Sequence, residues 1–342
     1  MKPRTLALFV APSVVLMLIF IALPLISVAV QSVYATTLVR EQISVETCTP
    51  GFLAQTCTTT LRSQVKLDAA GRQITETVFT GFDAYRLVLR LDQVAAAFAP
   101  GGGGYDAVMA IDFWRALRFT LTFTLLTLPL VIGLGLVIAV AVNSSLRAVR
   151  GPLVFVSLLP FIVTPVIGAL AIRWLFVGDG ILTAGLRLLL QHDISLFAHG
   201  WTIEILMLVY RVWHVAPFAF IIFYAGLQTV DQDAMESAII DGASRFARLR
   251  YVVIPHLMPL IVFVALIHLM DAYRVFEEIV GFTSQAHRIS LQWLTFSFLM
   301  PDETGNRSIT RASASSMLTM VGIVILLIPL VVRVWRDHKP RG

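Results

Sequence analysis

Long apolar runs separated by short polar stretches set the rhythm of this chain. Six runs are long enough to cross about 30 Å of hydrocarbon as helices: Leu6–Val30, Leu117–Val142, Leu153–Val177, Ile203–Leu227, Leu257–Val280 and Met317–Val334. Between the first two lies Ser32–Asp112, rich in Thr, Gln and Gly and poor in long apolar runs. Alternation in Gln73-Ile-Thr-Glu-Thr-Val-Phe79 predicts a strand there, with a turn before it at Asp68–Gly71. Gly101–Gly104 reads as a flexible linker into the second run. The pattern predicts an all-α polytopic membrane protein. Residues 1–31 form its first transmembrane helix, 32–112 a segment on one side of the membrane, and 113–342 a five-helix core.

Composition agrees with that class. Of 342 residues, 57% are apolar and 14% charged, and the mean hydropathy is +0.82. An ordinary soluble domain is nearer about a quarter charged. Basic residues near the run ends give the orientation. With the N-terminus inside, the cytoplasmic segments hold Lys2, Arg4, Arg147, Arg150, Arg245, Arg248, Arg250, Arg333, Arg336, Lys339 and Arg341. The short outer loops hold Arg187, Arg288, Arg307 and Arg311, so eleven against four puts both termini in the cytoplasm. The pI near 9.5 is therefore a topology signal, and nucleic-acid binding is not expected. The first run is too long for a signal-peptide core and reads as an uncleaved anchor. Cys48 and Cys57 both fall in the external segment, where a disulfide and two unpaired thiols are both allowed.

Ionisable residues inside apolar runs are expensive and need a reason. The fourth run carries Glu204, Arg211 and His214, and the fifth carries His268, Asp271, Arg274, Glu277 and Glu278. On one continuous helix, Asp271 and Arg274 are three apart and Arg274 and Glu278 four apart, so they can pair. One reading is an outward-opening aqueous cavity for a polar solute; the other is helix-to-helix ion pairs, with Glu277 and Glu278 at the interface. Glu204, near an outer end, reads as an interface residue.

The connection between the fourth and fifth runs, residues 229–259, is polar and helix-forming. Thr229-Val-Asp-Gln232 has capping-box spacing. Asp231, Asp233 and Glu236 complement the dipole of a helix that Gly242 is suited to end. Met235 and Ile239 share a side with Gly242, and Ala234 and Ala238 make a small-residue stripe. Ser244 can cap a second helix carrying Arg245, Arg248 and Arg250, and Pro255 and Pro259 break and restart the chain. Those arginines alone would suit an interfacial helix on anionic lipid. The acidic, small-residue first helix favours a protein partner.

This connection resembles the EAA loop of ABC-importer permeases, E-A-A-x-x-x-G followed by I-x-L-P, on Glu236, Ser237, Ala238, Gly242, Ile254 and Pro255. Asp241 and Ala243 match the D-G-A of the sugar-importing branch, while Ser237 replaces the first Ala and Val230-Asp231 an Ile-Pro. Further stretches are similar to carbohydrate permeases: Phe9-Val-Ala-Pro12 through Pro24, Phe79–Tyr85, Leu159–Pro165, Arg173–Phe176, Trp213–Phe218, Ala225–Gln228 and Tyr273–Glu277. Against that pattern residues 37–78 are an insertion, either a small external subdomain that helps seat a binding protein or a tolerated expansion.

The resemblance implies a second, similar permease subunit in a heterodimer, two ATP-binding subunits and a periplasmic solute-binding protein, in a bacterial inner membrane. It assigns ATPase coupling to Met235, Glu236, Ser237, Ala238, Ile239, Asp241, Gly242, Ala243, Ile254 and Pro255. It assigns the solute path to Trp213, His268, Asp271, Tyr273, Arg274 and Glu277. The chain has no G-x-x-x-x-G-K-[ST] phosphate loop, no metal-ligand cluster and no Ser-His-Asp set. It is expected to bind no cofactor or metal and to do no covalent chemistry. An ion-gradient-driven transporter or channel explains the membrane charges without the loop. A membrane scaffold explains the loop without the charges.

Overall fold

The apolar runs fold as helices, and in the computed structural model most of these outrun the segments that predict them. Residues 3–50, 55–68, 74–178, 180–191, 197–301 and 307–337 are described. Among them, five helices are long and apolar enough to cross a membrane: Leu8–Gln31, Asp112–Ser144, Gly200–Leu227, Arg245–Tyr273 and Ile309–Arg336. A sixth is counted if Arg147–Ile162 and Pro165–Phe176, bent by 91° at their junction, form one span.

That bend corrects the single helix expected over Leu153–Val177. Pro165 disfavours the helical region for the residue before it, and Thr164 is extended with ψ 131°. Val163 is extended too, with ψ 134°. The expected span Leu257–Val280 is corrected at both ends. Its helix reaches back to Arg245 and stops at Tyr273. Arg274 then leaves the helical region at φ −96°, ψ 27°, and a short helix, Glu277–Gly281, follows.

Pro255 does not break the chain as the sequence suggests. A wide five-residue turn, Leu249–Val253, precedes it, in which Ile254 N–H bonds to the Leu249 carbonyl five residues back. Leu18–Ala22 does the same ahead of Pro24, with Leu23 N–H on Leu18. A proline ring collides with the carbonyl four residues back in a regular helix. A widened turn moves that carbonyl aside, so the helix continues.

The chain divides into two compact units. One comprises Met1–Leu91 with Thr295–Met317. It is not purely helical, a correction to the all-α expectation. Strand β1 (Tyr34–Leu38) pairs antiparallel with β4 (Thr75–Phe79), and β2 (Arg40–Pro50) pairs antiparallel with β3 (Gln55–Val65). The expected strand is therefore β4, while of the expected turn before it only Asp68 lies within the described residues. The insertion 37–78 is largely the β2–β3 ribbon. Its register sets Cys48 directly opposite Cys57; the two side chains lie outside the described residues. Ser32 Oγ meets the Tyr85 hydroxyl at 2.8 Å, and Thr310 Oγ1 donates to the Tyr34 carbonyl at 3.1 Å.

The other unit comprises Asp92–Leu294 with Leu318–Gly342. Its axis is the pairing of Asp112–Ser144 with Gly200–Leu227, which Gly135 permits: a Cβ there would stand 2.6 Å from the Ala219 Cβ. Two apolar clusters form on these helices. One gathers Val131, Ala139, Val215, Phe220, Phe223, Leu257 and Val264. The other gathers Phe119, Phe123, Ile203, Met207, Tyr210, Val275, Ile279 and Phe282. Each fully buried side chain of this size contributes about 1.5–3 kcal/mol of transfer free energy.

Candidate functional site: a polar layer and an exposed helical loop

Along three helices the polar residues fall between the two apolar clusters. Thr127 lies between Phe123 and Val131, Arg211 and His214 between Tyr210 and Val215, and His268 and Asp271 between Val264 and Val275. Arg211 is the hub, its side chain only 4% exposed. Its Nη1 donates to Glu278 Oε1 at 2.8 Å, and its Nη2 donates to Asp271 Oδ2. Glu278 is fully buried, while the Asp271 side chain is 56% exposed. The three residues sit on three elements, so the ion pairs span the break at Arg274–Phe276.

Both histidines are anchored to the scaffold. His214 Nε2 lies 2.9 Å from the Val163 carbonyl, which only accepts, so Nε2 carries its hydrogen. The Thr127 hydroxyl donates to the Phe123 carbonyl at 2.8 Å and therefore accepts from His268 Nε2 at 3.0 Å. In each ring Nδ1 is buried without a partner. Elsewhere in the unit, Glu204 accepts from Arg288 Nε at 2.7 Å, with Arg118 at 4.0 Å.

A cavity of about 500 Å³ adjoins this layer. Of the residues expected on a solute path, His268, Asp271, Arg274 and Glu277 line it. Trp213 does not; it is 45% exposed, its ring 6.1 Å from that of Tyr210. Tyr273 does not either. It is buried, with its hydroxyl against Gly322 of the last helix. The expected pairing of Arg274 with Asp271 and Glu278 is replaced by Arg211, because the helix that would have aligned them ends at Tyr273. Arg211 and His214, which lie outside the residues expected on the path, also line the cavity. An arginine in mid-span was the available signal. Phe161 and Phe218, stacked at 5.9 Å and 25°, line another part of the wall.

In the polar loop, residues Gln232–Ile240 form a helix whose N-cap is Asp231, accepting from Asp233 N–H at 3.0 Å. The expected cap, Thr229, instead donates to the Gly226 carbonyl and lies 3.1 Å from His256 Nε2. The far end closes as the sequence suggests. Gly242 takes φ +74°, with Gly242 N–H on Ile239 and Ala243 N–H on Ala238 at 2.9 Å, a Schellman closure. Met235 packs against the neighbouring apolar cluster, while Ile239, one turn further on, is more exposed. Glu236, Ser237, Asp241, Gly242 and Pro255 are exposed, and Ala238, Ala243 and Ile254 are half-buried. Ile239 and Ile240 are turned out, at 54% and 85% exposure. Ser244 caps the next helix, accepting from Ala247 N–H at 3.2 Å.

These features define a mostly helical, multi-pass membrane protein with a polar layer inside the helix bundle and a capped, exposed helical loop between two spans. The chain belongs to the family of binding-protein-dependent transport system inner membrane components, whose model matches residues 107–339. It is a permease subunit of a binding-protein-dependent ABC importer. The trehalose/maltose transport system permease protein MalF of Thermococcus litoralis is 29% identical over 216 residues, covering 62% of this chain and 71% of that protein. The trehalose transport system permease protein SugA of Mycobacterium tuberculosis is 29% identical over 184 residues, covering 52% of this chain and 57% of that protein. Among solved structures, a chain of a bacterial ABC transporter involved in import of the acidic polysaccharide alginate aligns with a TM-score of 0.59. At 18% identity over 75% of this chain and 92% of that chain, this likeness shows a shared fold.

Proposed function

We propose that this subunit forms half of the pathway of an ATP-driven importer for a carbohydrate or sugar derivative, with the bent pair counted as one of six spans and both termini in the cytoplasm. A second permease subunit, two ATP-binding subunits and a periplasmic binding protein complete the machine in a bacterial inner membrane. The polar loop is the ATPase-docking element. Glu236, Ser237, Ile239, Asp241 and Gly242 form its contact surface, and Met235, Ala238, Ala243, Ile254 and Pro255 seat and continue it. The segment 32–112, with the ribbon in 37–78, faces the binding protein. The cavity beside Arg211 is the solute path, and its stacked aromatic wall suits the C–H face of a sugar ring. Relatives named for trehalose, maltose and arabinooligosaccharides support the solute class.

The observation that carries the coupling role is the Gln232–Ile240 helix itself. It is capped at both ends, packed against the body through Met235, and turns Ile239 and Ile240 outward. ATP-driven closure of the ATPases would move this helix and shift the permease pair between outward-open and inward-open states. The test combines Glu236→Trp with Gly242→Val. The variant should insert in the membrane normally but lose its ATPase partner on purification. Retained ATPase and normal uptake would remove the loop from the coupling role.

A further inference from the structure

We propose that Asp271 sets the charge selectivity of this pathway, making the cavity a site for uncharged polyhydroxylated solutes that turns anionic ones away. The inference rests on the cavity being the solute path. Arginine in a cavity ordinarily invites carboxylates, sulfonates and phosphates, because its fork matches them bidentately. Here the charge of the buried arginine is already paired. Arg211 presents one amino group to Glu278 and the other to Asp271, and its side chain is 4% exposed. Its Nε is buried without a partner, so little of the guanidinium is open to a solute anion.

Among the described residues, Arg274 is the other arginine lining the cavity, and Glu277 lines it too. Arg211 and Arg274 are thus set against Asp271, Glu277 and Glu278, one negative charge in excess. Asp271 alone of the Arg211 carboxylates reaches solvent, at 56% exposure. It does two things at once: it accepts from the buried cation and offers further acceptor capacity to the cavity. A sugar hydroxyl can donate to Asp271 or Glu277 and accept from Arg274. A uronate or sulfonate would add its charge to a site already short of positive charge, in a space walled partly by Phe161 and Phe218.

The test reads charge at the cavity without needing the solute. Met270 lines the cavity and is 44% exposed. In the assembled transporter, with Cys48→Ala and Cys57→Ala, a Met270→Cys thiol is modified by trimethylammonium-ethyl and sulfonatoethyl methanethiosulfonates, with rates normalised to a free thiol. The cationic reagent should react at least about twofold faster. Adding Asp271→Asn should move each rate about twofold to sixfold in opposite directions, the effect of one charge ~8 Å away at an effective dielectric of about 80 to 40. The ratio then falls at least about fivefold, and Asp271→Glu should restore it. Should Asp271→Asn fail to assemble, the preference in Met270→Cys alone and the ratio in Asp271→Glu still decide. A thiol that reacts faster with the anion, or a ratio indifferent to residue 271, overturns the selectivity role and leaves the cavity as a path. A thiol unreactive to both reagents in resting and ATP-bound transporter removes the cavity from the path, and the inference with it.

Discussion

Replacing Glu278 by Leu should cost far more alone than when Arg211 is replaced by Met as well. Glu278 is fully buried and bonded to Arg211 at 2.8 Å, so removing it strands a guanidinium with its Nε already unpartnered. A pair of charges about 4 Å apart is worth about 4 kcal/mol at an effective dielectric of 20, and breaking a buried pair costs roughly 3–5 kcal/mol. The second partner offsets little, because Asp271 is more than half exposed and an exposed pair contributes only about 0–1 kcal/mol. Arg211→Met strands Glu278 in the same way. With both changed, no buried charge remains and Asp271 is free to hydrate, so the double variant should lie at least ~2 kcal/mol above the sum of the singles. Unfolding of the purified subunit by dodecyl sulfate in mixed micelles, run as a double-mutant cycle, measures that coupling. Additive single and double effects would refute a buried ion pair as the organiser of this layer.

Other perturbations test different parts. Gly135→Val places atoms into the Ala219 backbone, where even a Cβ would stand 3.0 Å from Phe220 N. The cost should reach about 2 kcal/mol or more, seen as a lower denaturation midpoint, while Gly133→Ala, which meets open space, should be near neutral. Ser244→Ala removes the cap on Ala247 N–H and should cost about 1 kcal/mol, with faster amide exchange confined to residues 245–248. Gly281→Val would crowd Ala169 and the Val166 carbonyl and should loosen the Glu277–Gly281 helix, read as faster proteolysis after Arg274.

Much of this was legible in the chain because apolar runs of spanning length have few alternative folds. The bend at Thr164-Pro165 was missed, although the restriction on a residue before proline carried the signal. The pairing of Arg211 was not legible. Helical spacing offered Arg274 as the partner of Asp271, and that spacing applies only while the helix lasts. It ends at Tyr273, and the true partner is 60 residues away along the chain. The packing of Met235 against the body was not legible either: a short helix shows which residues share a face but not which of them the body covers. The β2–β3 ribbon escaped notice because Thr, Glu and Gln fill much of both strands. Without one apolar face there is no alternation to read, and threonine's β-branching is a weaker signal.

The wide turn at Leu249–Val253 lies between the exposed loop and the polar layer. One extra residue in a helix of 3.6 per turn advances everything beyond it by about 100° in azimuth. The wide turn absorbs that step, so Phe246 on one side of it and His268 and Asp271 on the other keep the bearing of a regular helix one residue shorter. Deleting one residue there would leave the cavity intact, held by its own packing. It would close the wide turn to a regular one, leaving Ile239 and Ile240 on the same bearing but driving the Pro255 ring against the carbonyl four residues back.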